Sequence, residues 1–479
     1  MRSEFTNSRV RDLKLSANGE KVTLIARAHR LLNHRSGANT RILLRDEGEF
    51  AIASLDPATV VASENLTVES LVRVSGTIAP VTATLQDDLA LLPAVAIDVT
   101  NVTVLSRAKQ DLLKEASPRG APDDLSALTA LSAGNLNERL DHRILDARVA
   151  ETGAIFKLFS GAYALAVEHL TAQSFHWIPT PKLINYKLAG DDDYFSVEYL
   201  DGQKAWLTQT GEVHLVMALS ADLDRVFDIH TVFRREKEVS TRHLTEFTTL
   251  EVGFILRKGW DEVLEFAENL LIFIIKSLQT RDNYKSLLAL ASKQYPLADK
   301  FKLGLDHNGG FVRITFGEAK GILKHQLGLE TEFHEDFTRE EEAALGRYLA
   351  SPNSHVGPPT DIFVITHYPK HIRPFNYFVS DDDKSATNSF DIIIRGQEAS
   401  TGLQPIHSYE ELRDLMATRD PPIDPDSPMW RPFVSAHEAG LPPVGGFGMG
   451  LNRFVQSVLG LPDIRETTLF PRDASRLEP

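Results

Sequence analysis

The 479-residue sequence contains no cysteine. Disulfides, thiolate metal sites and cysteine nucleophiles are therefore excluded together. Long apolar runs are lacking as well. A run such as Leu270–Ile275 falls far short of the roughly 20 residues that a membrane-spanning helix needs. Residues 1–15 mix arginine, aspartate, glutamate and lysine around no apolar centre, so no secretory signal is expected. Positive charge is scarce: 51 Lys and Arg stand against 66 Asp and Glu, a net −15. Such a surface repels a phosphate backbone unless basic residues gather locally. Non-specific nucleic-acid binding is disfavoured, whereas a folded RNA held at one basic face is still allowed. A cytoplasmic protein with no membrane partner is the expectation.

The length is enough for two or three domains with sizeable cores. Apolar residues make up 42% and charged residues 24%, an ordinary globular balance. Val22–Ile25, Arg41–Leu44, Phe50–Ala53 and Leu71–Val74 read as strands separated by Gly, Asn, Asp or Pro. Their spacing predicts a small barrel of the OB-fold kind over residues 1–106. A polar hinge containing Ser117–Pro122 follows over 107–140. A helix is expected from Asp141 to about Gln173, with Ile155, Leu158, Phe159, Tyr163 and Ala166 on its apolar stripe. Beyond Phe175, β-like runs alternate with helices to residue 479. One helix spans Trp260–Leu278, and its apolar stripe is more simply a face packed on a sheet than a ligand site. The fold class is thus α+β.

The densest chemical signal is Val232-Phe-Arg-Arg-Glu236 followed, after five residues, by Arg242-His-Leu-Thr-Glu-Phe247. Its ends read as strands and its polar middle as their loop, which can aim arginines at phosphates and an aromatic ring at a base. On its own this could equally be a solvated hairpin. Its neighbours in sequence add weight: Pro179–Ile184, Trp206-Leu-Thr-Gln209, Arg373-Pro-Phe375, Phe390-Asp391, Arg395–Glu398, Gly445–Arg453 and Ile464–Asp473.

Taken in order, these segments resemble the aspartyl-tRNA synthetases, with the asparaginyl enzymes close behind, over nearly the whole chain. The resemblance implies an N-terminal OB-fold, a hinge and a class II catalytic domain whose mainly antiparallel sheet is flanked by helices. It implies ATP and Mg²⁺ as cofactors, with an aminoacyl adenylate as the product of the first step. Arg234 matches the arginine on the α-phosphate and the transferred acyl oxygen. Glu236 matches the residue at the adenine edge, Phe247 the ring beneath it and Arg453 the cation above it. Arg242 and His243 match positions near the γ-phosphate. Glu398 matches a magnesium carboxylate, with Thr401 where the family usually has serine. Pro181 matches the proline of the dimer interface, so a homodimer is implied. Glu251 matches the acid that receives the substrate amino group, assisted by Gln209.

Departures cluster where the amino acid is read. Leu215 stands where aspartyl enzymes have a lysine, and Pro405 where they have an arginine, so both partners of an aspartate side chain are missing. Leu188–Asp193 replaces a Ser-Glu-Gly-Gly loop. In the barrel, Arg41–Arg45 lacks the phenylalanine that stacks on an anticodon base. Phe447 replaces a glycine, where it would either crowd ATP or turn outward, and Asn452 replaces a glutamate. Three readings follow: an ordinary aspartate- or asparagine-tRNA ligase, a paralogue with altered amino-acid specificity, and a non-catalytic interaction protein. Retention of the ATP residues beside change in the amino-acid residues favours the second. Its substrate would be a neutral amino acid in preference to aspartate, with asparagine first to test, and its acceptor tRNA or a non-standard molecule.

Overall fold

Strand alternation in the first hundred residues buries one face and wets the other. In Leu71–Ala79, Val72, Val74 and Ile78 are buried, while Arg73 is exposed. The pattern recurs through much of Lys21–Asn33. Thr40–Asp46 and Glu49–Leu55 instead bury both faces over Ile42–Arg45 and Ala51–Ala53, where Leu43 and Ile52 form a smaller second cluster with Ala96. A closed barrel is a compact way to bury the main apolar face. The chain is described by a computed structural model covering residues 6–33, 40–56, 59, 66–81, 95–110, 113, 127–188 and 193–478. The hinge segment Ser117–Pro122 and residues 189–192 of the Leu188–Asp193 loop lie outside the described residues.

Two compact units are present, Met1–Gly153 and Ala154–Pro479. In the first, β1 (Thr6–Ser8) flanks β2 (Lys21–Asn33), which continues through β3 (Thr40–Asp46), β4 (Glu49–Leu55), β6 (Ala96–Ser106) and β5 (Leu71–Ala79). A further β2–β5 pairing closes the ring, with β4 and β6 parallel and the other ring pairs antiparallel. This is the OB-fold expected from the sequence. Its core is made of Val22, Leu24, Ile42, Leu44, Val72, Val74 and Ile97 with their neighbours. Arg45 is buried and commits both guanidinium ends to Glu69, at 2.9 and 2.7 Å. Burial would raise the Glu69 carboxyl, but hydrogen bonding from His29 and the charge of Arg45 hold it down at about 2.

The long helix begins later than expected. Short helices Leu136–Asp141 and Arg143–Asp146 precede α1 (Ala150–Ala172). The cause is a buried polar knot: Arg139, Arg143 and Thr152 all donate to Asp146. His142, at φ −116° and ψ 36°, turns the chain out of a continuous helix. Ile155, Leu158 and Ala166 are buried as expected, whereas Tyr163 is exposed rather than part of the stripe.

The second unit is built on an eight-stranded sheet in the order β13-β14-β15-β16-β17-β12-β11-β7. These strands are β7 (His176–Trp177), β11 (Arg225–Phe233), β12 (Glu246–Ile255), β13 (Val312–Thr315), β14 (Ile362–Thr366), β15 (Ser389–Ile394), β16 (Glu398–Leu403) and β17 (Val444–Gly450). All pairs are antiparallel except β7–β11 and β13–β14. A small sheet, β8 (Leu183–Ile184), β9 (Ser196–Glu198) and β10 (Lys204–Leu207), stands beside α2 (Glu212–Leu219) in sequence. Three further helices matter to the site or the core: α3 (Asp261–Thr280), α4 (Arg339–Leu349) and α5 (Leu451–Leu459). In α3, Val263, Leu264, Ala267, Leu270, Leu271, Ile274, Ile275 and Leu278 are buried at helical spacing against the sheet. Each large aliphatic side chain so buried contributes about 1.5–3 kcal/mol. Among the described residues no helix is long and apolar enough to cross a membrane.

Candidate active site

The sheet positions one deep cavity of about 320 Å³, and Gln209, Leu215, Arg234, Glu236, Arg242, His243, Phe247, Glu251, Glu398, Thr401, Pro405 and Arg453 all line it. Residues from Gln209 to Arg453, 244 positions apart in sequence (453 − 209), therefore converge on one volume. The β11–β12 hairpin pairs Val232 with Phe247 and Phe233 with Glu246, leaving 234–245 as the connecting loop. Within it Arg234 N–H donates to Thr245 O at 2.9 Å. The Arg234 guanidinium lies 5.6 Å from the centre of the Phe247 ring.

β17 supplies the floor of the cavity. Its alternation places Phe447 and Met449 in the core, with Phe447 against Phe266, and Gly446, Gly448 and Gly450 on the cavity side. The Phe447 ring therefore packs into the core, although Phe447 still contributes to the cavity lining. At Gly446 an added Cβ would run into Val252 O, an approach that only glycine permits. Asn452 is buried at the start of α5. Its Oδ1 accepts from Thr248 N–H at 2.8 Å, and its Nδ2 donates to Thr467 Oγ1 at 2.9 Å.

The cavity's cations are crowded. Burial and the charges of Arg242 and Arg234 disfavour the Arg453 cation, while Glu398 and Glu342 support it. Arg453 donates to Glu398 O at 3.0 Å, and Arg242 donates to Glu342 Oε2 at 2.7 Å. Burial, followed by the charge of Glu398, pushes Glu342 up to about 7 against its bond from Arg242. Burial lowers His243, opposed by the charge of Glu236 and helped by those of Arg453, Arg339 and Arg242, which favours the neutral ring. Ser240 Oγ accepts from Arg242 N–H and stands 2.8 Å from His243 Nδ1; with the hydroxyl donating to Nδ1, the ring carries its proton on Nε2 as a donor. Three arginines and a neutral donor in one partly desolvated volume suit a polyphosphate.

A hard cation also fits. Thr401 Oγ1 donates to Glu398 Oε1 at 3.0 Å, and Asp391 lies opposite Thr401 on the adjacent strand. Asp391 receives Arg373 at 2.8 Å through Oδ2, while its buried Oδ1 has no hydrogen-bond partner. Burial, opposed by Arg373 and helped by Glu398, pushes this carboxyl up to about 6. Two carboxylates and a hydroxyl match the sparse oxygen set magnesium uses when phosphates complete its shell. Among the described residues no group of three or more acidic or histidine ligands is gathered.

At the other end Glu251 is held in place. Its Oε2 accepts from Gly211 N–H at 2.6 Å and from His230 Nε2 at 3.1 Å. Lys182 donates to His230 Nδ1 at 2.5 Å, which fixes the proton on Nε2. Gln209 Nε2 donates to Asp193 O at 2.7 Å. Leu215 faces the cavity from an apolar cluster with Val216, Leu219, Val226, Leu441 and Val444. Pro405 is buried and bridged to Tyr377. Glu342 is not legible from its surroundings in sequence, a helix-starting Arg-Glu-Glu-Glu run where acids read as caps. Asp391 was visible in Phe390-Asp391, but its place beside Thr401 depends on strand register. His230 carries no motif of its own.

A class II synthetase sheet with a cavity for a polyphosphate and an amino acid is what these features define. Residues 135–474 match the family described as tRNA synthetases class II (D, K and N), and the chain belongs to that family of ATP-dependent ligases. Among curated relatives it is 34% identical over 456 residues to Aspartate–tRNA ligase 2, cytoplasmic, of Arabidopsis thaliana, covering 91% of this chain and 77% of the relative. It is 30% identical over 483 residues to Aspartate–tRNA ligase, cytoplasmic, of Homo sapiens, covering 98% and 91%. The aspartyl tRNA synthetase structure from Entamoeba histolytica superposes with a TM-score of 0.81 at 28% identity, covering 100% of this chain and 94% of that one.

Proposed function

We propose that the chain activates an amino acid with ATP and passes the acyl group from the adenylate to tRNA or another acceptor. The observation that carries this reading is the convergence of Arg234, Arg242, Arg453, Glu398 and Glu251 on one cavity. A substrate carboxylate oxygen attacks the α-phosphorus in line, the bond to the β-phosphate oxygen breaks, and pyrophosphate leaves. No protein nucleophile is required, and positioning with charge neutralisation does the work. Arg234 holds the carboxylate and α-phosphate, while Arg242 and His243 Nε2–H hold the outer phosphates. Phe247 and Arg453 sandwich the adenine, with Glu236 at its edge. Glu251 takes the α-ammonium group. Glu398 and Thr401, with Asp391 beside them, would hold Mg²⁺, which supplies charge neutralisation on the phosphates.

On this reading residues 1–106 are an anticodon-binding-like domain, 107–140 a hinge and 141–479 the catalytic domain of a cytoplasmic enzyme. A homodimer through Pro179–Ile184 is supported by an exposed apolar row in which Trp177 is 60% and Leu183 44% accessible. A monomeric mass by light scattering at micromolar concentration would refute it. Aspartate should be a poor substrate, because Leu215 and Pro405 leave its side-chain carboxylate without a partner and an unpaired buried ion costs several kcal/mol. A second reading, an ordinary aspartate–tRNA ligase, is favoured by the names of the curated relatives. Pyrophosphate exchange with each amino acid, with and without tRNA, separates the two: exchange with aspartate at the rate of an ordinary synthetase establishes the second.

A further inference from the structure

We infer that Arg395 is a positioning residue for the nucleotide: it lies outside the cavity lining and sets where Arg453 stands within it. This rests on the ATP-binding reading and deepens it.

Arg395 and Gly396 form the turn between β15 and β16, closed by Ile394 N–H to Gln397 O at 2.8 Å and Gln397 N–H to Ile394 O at 3.1 Å. Both lie at positive φ, 49° and 73°. Such turns favour Asn-Gly, Asp-Gly or Gly-Gly, because a left-handed backbone is costly for other side chains. The Arg395 side chain offsets that cost. Its Nε donates to Asp361 Oδ2 at 3.1 Å, and its Nη2 to Leu297 O at 3.1 Å. Its Nη1 donates to Ser457 O at 3.3 Å and to Val458 O at 3.2 Å. Ser457 and Val458 belong to the last turn of α5, where carbonyls lack helical donors and the helix dipole favours a cation.

The other end of α5 enters the cavity. Arg453, on its first turn, donates to Glu398 O at 3.0 Å, just beyond Arg395 in sequence. Between these two contacts Gln397 Nε2 donates to Gln456 Oε1 at 3.2 Å. The segment Arg395–Glu398 thus grips α5 at both ends. The turn has no space to shift, since an added Cβ at Gly396 would lie 2.7 Å from Ala343 Cα and 2.9 Å from Glu342 O in α4. Space is equally short past the helix end, where a Cβ on Gly460 would lie 2.6 Å from Arg395 Nη1. Glu398 is separately paired across the sheet with Ile393. Loosening the clamp therefore frees α5, and with it Arg453, rather than Glu398.

The test is a double-mutant cycle on ATP affinity in the full chain, by calorimetry with Mg²⁺ present. R395K keeps a cation for Asp361 but lacks the fork that reaches Leu297 and α5 together. It should weaken ATP binding about tenfold in the wild-type background and by no more than about twofold beside R453A, because residues acting as one unit are not additive. In pyrophosphate exchange the R395K KM for ATP should rise, while KM for the amino acid stays within about twofold. No loss in the wild-type background, equal losses in both backgrounds, or a rise in both KM values overturns the inference and leaves adenylate formation standing. If R395K is not recovered folded, G460A crowds the same guanidinium and is judged by the same cycle. Absence of ATP binding by the wild-type chain would sink the adenylate reading and this inference with it.

Discussion

Glu342 should make ATP affinity fall as pH rises through neutrality. Its carboxyl is held at about 7, well above its ordinary 4.5, by burial and by Glu398. It also occupies Arg242, the guanidinium we propose for an outer phosphate. With an effective dielectric constant of about 20, a phosphate charge across the Arg242 fork, roughly 7 Å from an ionised Glu342, is opposed by about 2 kcal/mol. Protonation removes that opposition, so ATP binding should take up a proton. Between pH 6.5 and 8.5 the wild-type affinity should weaken by about tenfold more than that of E342Q, a carboxamide that keeps the acceptor for Arg242. Comparing the two proteins at each pH by calorimetry cancels the titration of ATP itself. The same group affects folding. Because its folded value lies above its ordinary one, stability is undiminished below about 4.5 and falls as pH rises through 7, by about 3 kcal/mol at most. E342Q should flatten that dependence. Parallel affinity profiles for wild type and E342Q, within about twofold at every pH, would refute the reasoning.

Arg234→Ala should cut adenylate formation by about 100-fold or more in pyrophosphate exchange, as for loss of a transition-state charge partner. Gly211→Ala should raise KM for the amino acid while leaving ATP affinity intact by calorimetry, because the new Cβ would lie 2.9 Å from Glu251 Oε2 and 2.7 Å from Thr180 Oγ1. Asn452→Ala should destabilise the second unit by about 2–3 kcal/mol in denaturant titration, since it strands the Thr248 N–H and the Thr467 hydroxyl side of a buried bridge. Leu215→Lys with Pro405→Arg should move amino-acid preference in exchange assays toward aspartate.

The sequence carried the site where chemistry is local. Arg234, Glu236, Arg242, His243 and Phe247 lie on one hairpin, and Arg453 sits on the first turn of α5, just after one glycine-rich strand, so short motifs were enough to single them out, and one cavity brings them together. Pairing between distant segments was not legible. Asp391 meets Thr401 only through the β15–β16 register, and Glu342 reaches Arg242 from a helix 100 residues away. The direction of Phe447 was undecided until its neighbours' burial fixed which face of β17 is inside. The early helix start failed for a related reason, since the knot around Asp146 uses side chains whose geometry no apolar stripe encodes. In the barrel, strand alternation revealed the fold but not that Arg45 is spent on Glu69.

The bare floor of β17 has an evolutionary consequence. Gly446, Gly448 and Gly450 face the cavity while the side chains of Phe447 and Met449 pack in the core, so of the strand's residues with side chains only Val444 and Phe447 still contribute to the lining. Innovation is pushed to the walls, where positions such as 212, 215 and 405 can be exchanged without moving the floor. A chain built this way can change what it recognises while its nucleotide platform stays the same. Directed-evolution libraries would accordingly gain new substrates by sampling those walls and lose most clones by sampling β17.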